Sequence, residues 1–91
     1  MLLRTAESWA KSDADAMRHY RDWCECERTG AERAMQKRLL HDRNLVLAER
    51  IGALHASHGP LLAAIGALHM FGPDGLPDLL RARGFKVKRV F

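Results

Sequence analysis

His58-Gly59-Pro60 constrains this chain more than any other stretch, because a helix cannot run through it. Glycine supplies the left-handed residue that ends a helix, and a proline just behind it cannot carry one on. The 91 residues therefore divide into a helical part, 1–58, and a second part, 59–91, that must be read by other rules. Ninety-one residues make one domain or part of one, short enough to be marginal unless a partner, a metal or disulfides help it.

Upstream of that stop the pattern is helical. Trp9, Ala16, Tyr20 and Trp23 fall near one face, with Met17 and Cys24 beside them. This is the 3.6-residue stripe of a buried side, and it reads as core rather than as a stacking platform for bases. Ser12 followed by Asp15 resembles a capping box, so a new helix is expected from about Asp13. Thr29 with Glu32 repeats the signal more cleanly and predicts a long helix from Gly30 to about Ser57. On it Leu40, Asn44, Leu47, Ile51, Leu54 and His58 recur at alternating spacings of four and three, a buried seam on which Asn44 places an amide. A buried amide needs partners, so Asn44 and its neighbour Arg43 are expected to bond to backbone or to another element.

Downstream, Leu61-Leu62-Ala63-Ala64-Ile65 is a short apolar run bounded by turn residues, the signature of a buried strand. It leads into Gly66-Ala67-Leu68-His69-Met70-Phe71-Gly72-Pro73-Asp74-Gly75, which would deliver the His69 imidazole to the carboxyl edge of a sheet, where ligands bind in open α/β folds. Asp74 reads as a helix cap and Pro77 as a first-turn residue, Gly84 as the end of that helix, and Phe85 to Phe91 as a second strand. The expected fold class is α+β: two long N-terminal helices, then a strand–helix–strand unit. Two strands do not make a stable sheet, so a partner or a missing segment is expected to complete it.

Ile51-Gly52-Ala53-Leu54-His55 repeats Ile65-Gly66-Ala67-Leu68-His69, but in a helical context, and is read as coincidence. His55 and His58 have no acidic or cysteine partner nearby in sequence and are not read as a metal site. Cys24 and Cys26 are one residue apart; on a helix their side chains point about 200° apart, which disfavours a bond between them. They read as structural thiols or as one arm of a disulfide to another segment or chain. Leu2-Leu3 is broken at once by Arg4, leaving no signal-peptide core, and no run approaches the ~20 apolar residues of a membrane span. The net charge of +4 is too small to argue for nucleic acid. The basic cluster Arg81, Arg83, Lys86, Lys88 and Arg89 has only Phe85 and Phe91 interleaved.

Taken together, Leu40-His41-Asp42-Arg43-Asn44, then Gly66-Ala67-Leu68-His69-Met70, Gly72, Gly75-Leu76, Leu79-Leu80 and Gly84-Phe85 resemble the C-terminal part of the TraB/GumN family. Ser8-Trp9 and Ser12-Asp13 look like that family's Trp…Gly-Asp segment, with Ser12 where glycine is usual. The resemblance implies a longer parent with two Gly-x-x-His motifs and a glutamate. Some relatives, the TIKI-type proteases, are regarded as metal-dependent peptidases, and many bacterial relatives are exported. Gly66 and His69 match the second of the two motifs, and Arg43 and Asn44 match the family's Arg-Asn pair. Gly52 and His55 do not stand where the first motif belongs, and no residue here matches the glutamate. The resemblance thus implies His69 as a metal ligand in an intact metallohydrolase carrying manganese, cobalt or zinc. Gly66 would form its turn, Gly72 and Gly75 would fold the backbone over the site, and Arg43 would bind a carboxylate. The isolated chain is expected to hold no metal and to be inactive, and to pair with a second copy or with a missing N-terminal half. A non-enzymatic helical oligomer and a basic nucleic-acid-binding domain are the competing readings.

Overall fold

The computed structural model of the chain describes residues 2–90, so Phe91 of the expected second strand lies outside them. In order along the chain are α1 (Leu2–Ala10), α2 (Ala14–Arg18), α3 (Tyr20–Trp23), α4 (Gly30–Gln36), a π-helical turn (Lys37–Asp42), α5 (Arg43–His58), a 3₁₀ turn (Ala67–His69) and α6 (Leu76–Ala82).

The α+β expectation is overturned: among the described residues every regular element is helical and none is a strand. Residues 61–65 and 85–90 are non-helical, as the sequence suggests, but no ladder of hydrogen bonds joins them. A strand exists only through a neighbour that takes its N–H and C=O groups. The run 61–65 is not buried either, and Leu62 is 97% exposed. His69 therefore stands on a 3₁₀ turn after an irregular segment, not at the rim of a sheet.

The long helix is built as its caps dictate. Thr29 Oγ1 accepts from the Glu32 N–H at 3.1 Å while the Glu32 carboxylate accepts from the Thr29 N–H at 3.0 Å, a complete capping box. Helical backbone then runs unbroken through the π turn to His58, where Gly59 ends it and its N–H bonds the His55 carbonyl at 2.9 Å. Only half of the expected seam is covered. Asn44 and Ala48 are buried and Leu47 and Ile51 half-buried, but Leu54 and His58 are exposed.

α6 lies against α5 and brings Leu76 into the core, leaving it 2% exposed. Its cap is Gly75, not Asp74. At its far end the Phe85 N–H bonds the Leu80 carbonyl and the Gly84 N–H the Arg81 carbonyl, both at 3.0 Å. This is a Schellman turn, which needs the positive φ (+94°) that Gly84 adopts. The turn sends Phe85 back over α5, edge-on to His55 with ring centroids 5.4 Å apart.

The N-terminal region breaks into more pieces than expected. Asp13, not Ser12, caps α2, accepting from the Ala16 N–H at 2.9 Å, and Ser12 sits at φ +53°. The break at residues 11–13 rotates α1 out of the stripe. Met17, Tyr20 and Cys24 are buried, while Trp9 is 66% exposed. Trp23 donates from Nε1 to the Ala16 carbonyl at 2.9 Å and carries the Arg4 guanidinium over its ring at 4.5 Å. Beyond Trp23 the helix stops and Glu25 takes φ +59°. That turn brings the Cα atoms of Cys24 and Cys26 to 5.2 Å, and the two sulfurs are bonded. The opposite expectation failed because it assumed helical geometry at a place where the chain had already left the helix.

The result is an open molecule. Its Cα radius of gyration is 14.2 Å, against roughly 12 Å for a compact domain of this length. Its accessible surface is 6824 Å², against roughly 5400 Å² for a compact monomer of its mass.

Candidate functional site around Asn44 and His69

Three segments meet at Asn44: α5, the 3₁₀ turn and the glycine-rich loop. Asn44 is 2% exposed and both ends of its amide are engaged. Nδ2 donates to the Asp74 carbonyl at 2.8 Å, so the amide orientation is dictated and Oδ1 faces the other way. His69 Nδ1 lies 2.6 Å from that oxygen. An amide oxygen can only accept, so in the neutral imidazole Nδ1 carries the hydrogen and Nε2 keeps the lone pair. The backbone beneath it is fixed as well, since the His69 main-chain N–H bonds the Gly66 carbonyl at 3.0 Å and closes the turn.

A second link runs parallel to the first. His41 Nδ1 lies 3.1 Å from Asp74 Oδ2, and His41 stands three residues before Asn44 on the same helix face. Asp74 thus ties the long helix twice, through its carbonyl and through its carboxylate. In the sequence Asp74 reads as a cap, and His41 stands out only within the Leu40–Asn44 motif. The three-residue spacing of His41 and Asn44 was the one available signal for the pair.

The three motif glycines have different jobs. Gly66 has φ −61° and ψ 143°, ordinary extended backbone, and a Cβ there would meet His69 Cδ2 at an unstrained 3.6 Å. Gly72 sits at φ +84° in open space. Gly75 is buried, and a Cβ there would lie 2.7–2.8 Å from the Phe71 backbone O, C and N. The tight turn expected at Gly66 is therefore made at Gly72 and Gly75. Arg43 is exposed and has no ion-pair partner among the described residues.

Asn44 and Asp74 close one end of a cleft of about 420 Å³ between the α2–α3 region and the long helix. Arg21 crosses its wall to grip Glu27, with Nε 2.9 Å from both carboxylate oxygens and Nη2 2.6 Å from Oε1. Those bonds hold the Glu27 carboxyl below its usual range and raise the Arg21 guanidinium further. Burial pushes the Tyr20 phenol up. Of the basic C-terminal cluster, Arg81 pairs with Asp78 at 2.7 Å and Arg89 donates to the Ser12 carbonyl at 2.8 Å.

A divalent metal that activates water needs about three protein ligands and an open position. Among the described residues no three His, Cys, Asp or Glu side chains are grouped to hold one. The residues present therefore do not by themselves fit a metal centre, and His69 contributes one donor atom.

The sequence profile of the TraB/PrgY/gumN family matches residues 1–89, nearly the whole chain, and the chain belongs to that family. No curated protein and no solved structure matches it. No helix among the described residues is long and apolar enough to cross a membrane.

Proposed function

We propose that this chain is the C-terminal portion of a TraB/gumN-type hydrolase and that His69 is its working group, completed by residues from elsewhere. One observation carries the reading. The Arg-Asn and Gly-x-x-His motifs lie 25 residues apart, yet a single hydrogen bond joins them and selects which imidazole nitrogen is left open. An imidazole with Nε2 unprotonated can take a proton from an attacking water or give its lone pair to a ligand. The buried amide of Asn44 fixes the tautomer, so that the neutral ring presents Nε2. Lacking the remaining groups, the chain alone is expected to be inactive.

The test is titration of the purified chain and of His69→Ala with cobalt(II) and manganese(II), read by calorimetry. Equal, negligible affinity supports a site that needs other residues. Tight binding by the native chain that His69→Ala abolishes overturns it.

A second reading, a helical homo-oligomer, is favoured by apolar side chains left exposed on the long helix, Met35, Leu39 and Val46 among them. The surface in excess of a compact monomer, roughly 1400 Å² for one copy, is more than the roughly 800 Å² that each partner buries in a standard interface. Light scattering that shows a monomer at high concentration removes it.

A further inference from the structure

We propose that the cleft beside Asn44 binds an amphiphilic organic anion, a carboxylate or phosphate on an apolar body, with its head group between Arg18 and Arg33. This goes beyond the reading above, because the head-group end lies about three helical turns, roughly 15 Å, from Asn44.

The long helix lays Arg33, Lys37, Leu40 and Asn44 along one stripe of the cleft. Arg18 and Arg21 face them from the α2–α3 side, over a floor that includes Met17, and Leu68 and Phe71 close the apolar end. The walls thus carry four cations, with Arg18 and Arg33 farthest from Asn44, while the Asn44 end mixes the hydrocarbon of Leu68 and Phe71 with Asp74, the one carboxylate that lines them and whose charge reaches Arg21.

The cations are not equally occupied. Arg21 is locked in its fork with Glu27. Lys37 holds Asp42 at 3.0 Å, an exposed pair that an incoming anion can exchange. Arg18 touches Asp15 only at 3.7 Å, with both side chains more than half exposed. Arg33 makes no ion pair within 4 Å among the described residues: its guanidinium donates to the Glu27 carbonyl at 3.2 Å and acts only at longer range on the Glu27 carboxylate, which Arg21 already grips. Two guanidinium groups on opposite walls thus retain donors, and a planar or tetrahedral oxyanion satisfies such donors in pairs. A volume of about 420 Å³ suits a small organic molecule rather than a bare ion.

The experiment uses the full chain and four probes below their micelle concentrations: octyl phosphate, octanoate, octyltrimethylammonium and inorganic phosphate. Octyl phosphate and octanoate are expected to bind, and the other two at least tenfold more weakly. Arg33→Gln and Arg18→Gln are each expected to weaken octyl phosphate about tenfold, the effect of losing a charge-assisted hydrogen bond. Arg50→Gln, on an exposed part of α5, and His69→Ala are expected to leave it unchanged, which separates this site from the role given to His69. Circular dichroism melts confirm that each variant is folded. Equal binding of the cationic and anionic probes, equal binding of inorganic and octyl phosphate, or full affinity in both arginine variants overturns the proposal.

Discussion

Alanine substitution at Gly66, Gly72 and Gly75 should produce three different outcomes, although the three residues belong to one motif. At Gly75 the new Cβ would lie 2.7–2.8 Å from three backbone atoms of Phe71, which cannot rotate away as a side chain could. Relieving the contact opens the 72–75 turn, whose Gly75 N–H bonds the Gly72 carbonyl at 3.0 Å. Overpacking costs about 1–3 kcal/mol and the strained hydrogen bond about 1 more, so Gly75→Ala is expected to destabilise by about 3 kcal/mol. It also moves the Asp74 carbonyl away from Asn44. At Gly72 the space is open but φ is +84°, which costs an L-residue about 1–2 kcal/mol. At Gly66 the backbone is ordinary and the new methyl meets only His69 Cδ2 at 3.6 Å, so Gly66→Ala is expected to be neutral or stabilising by about 0.5 kcal/mol. Urea unfolding followed by far-ultraviolet circular dichroism at neutral pH, fitted with a common slope, ranks the three. If Gly66→Ala proves the most damaging, or Gly75→Ala stays within about 0.5 kcal/mol of the native chain, the steric reasoning is refuted.

Asn44→Leu keeps the volume but strips partners from His69 and the Asp74 carbonyl. A loss of about 2–3 kcal/mol is expected, together with a mixture of imidazole tautomers in long-range ¹H–¹⁵N spectra in place of the Nδ1–H form. Ser12→Gly relieves a left-handed residue at φ +53° and is expected to raise stability by about 0.5–1 kcal/mol, seen as a higher urea midpoint. Glu27→Gln is expected to cost about 1 kcal/mol at neutral pH. The folded-state pKa of Glu27 is lowered, first by its hydrogen bonds to Arg21, so its contribution is complete above the usual carboxylate value near 4.3 and is lost as pH falls through the folded value. The stability gap between native chain and variant should therefore narrow below about pH 4, and a gap that persists in strong acid contradicts the assignment.

Local chemistry was legible in the sequence wherever a short stretch decides its own conformation. Thr29 and Glu32 announce a helix start because each satisfies the other's backbone, and Gly59-Pro60 and Gly84 announce helix ends because only those residues fit or forbid the next turn. The His69 and Asn44 motifs could be singled out, but not their meeting. That depends on how α5 and the glycine-rich loop pack, which no residue near either one encodes. The same limit explains the errors. An apolar run of five residues reads as a strand, yet strand hydrogen bonds are made between segments, and among the described residues no second segment bonds its backbone to this one. Cys24 and Cys26 look mutually inaccessible on a helix, and it is the turn at Glu25, made once the helix has run out at Trp23, that lets them bond. Sequence by itself determined where the long helix starts and stops, where α6 ends, and which side chains carry chemistry. Packing alone decided which nitrogen of His69 is left open, because that choice rests on an amide 25 residues away whose orientation is set by a third part of the chain.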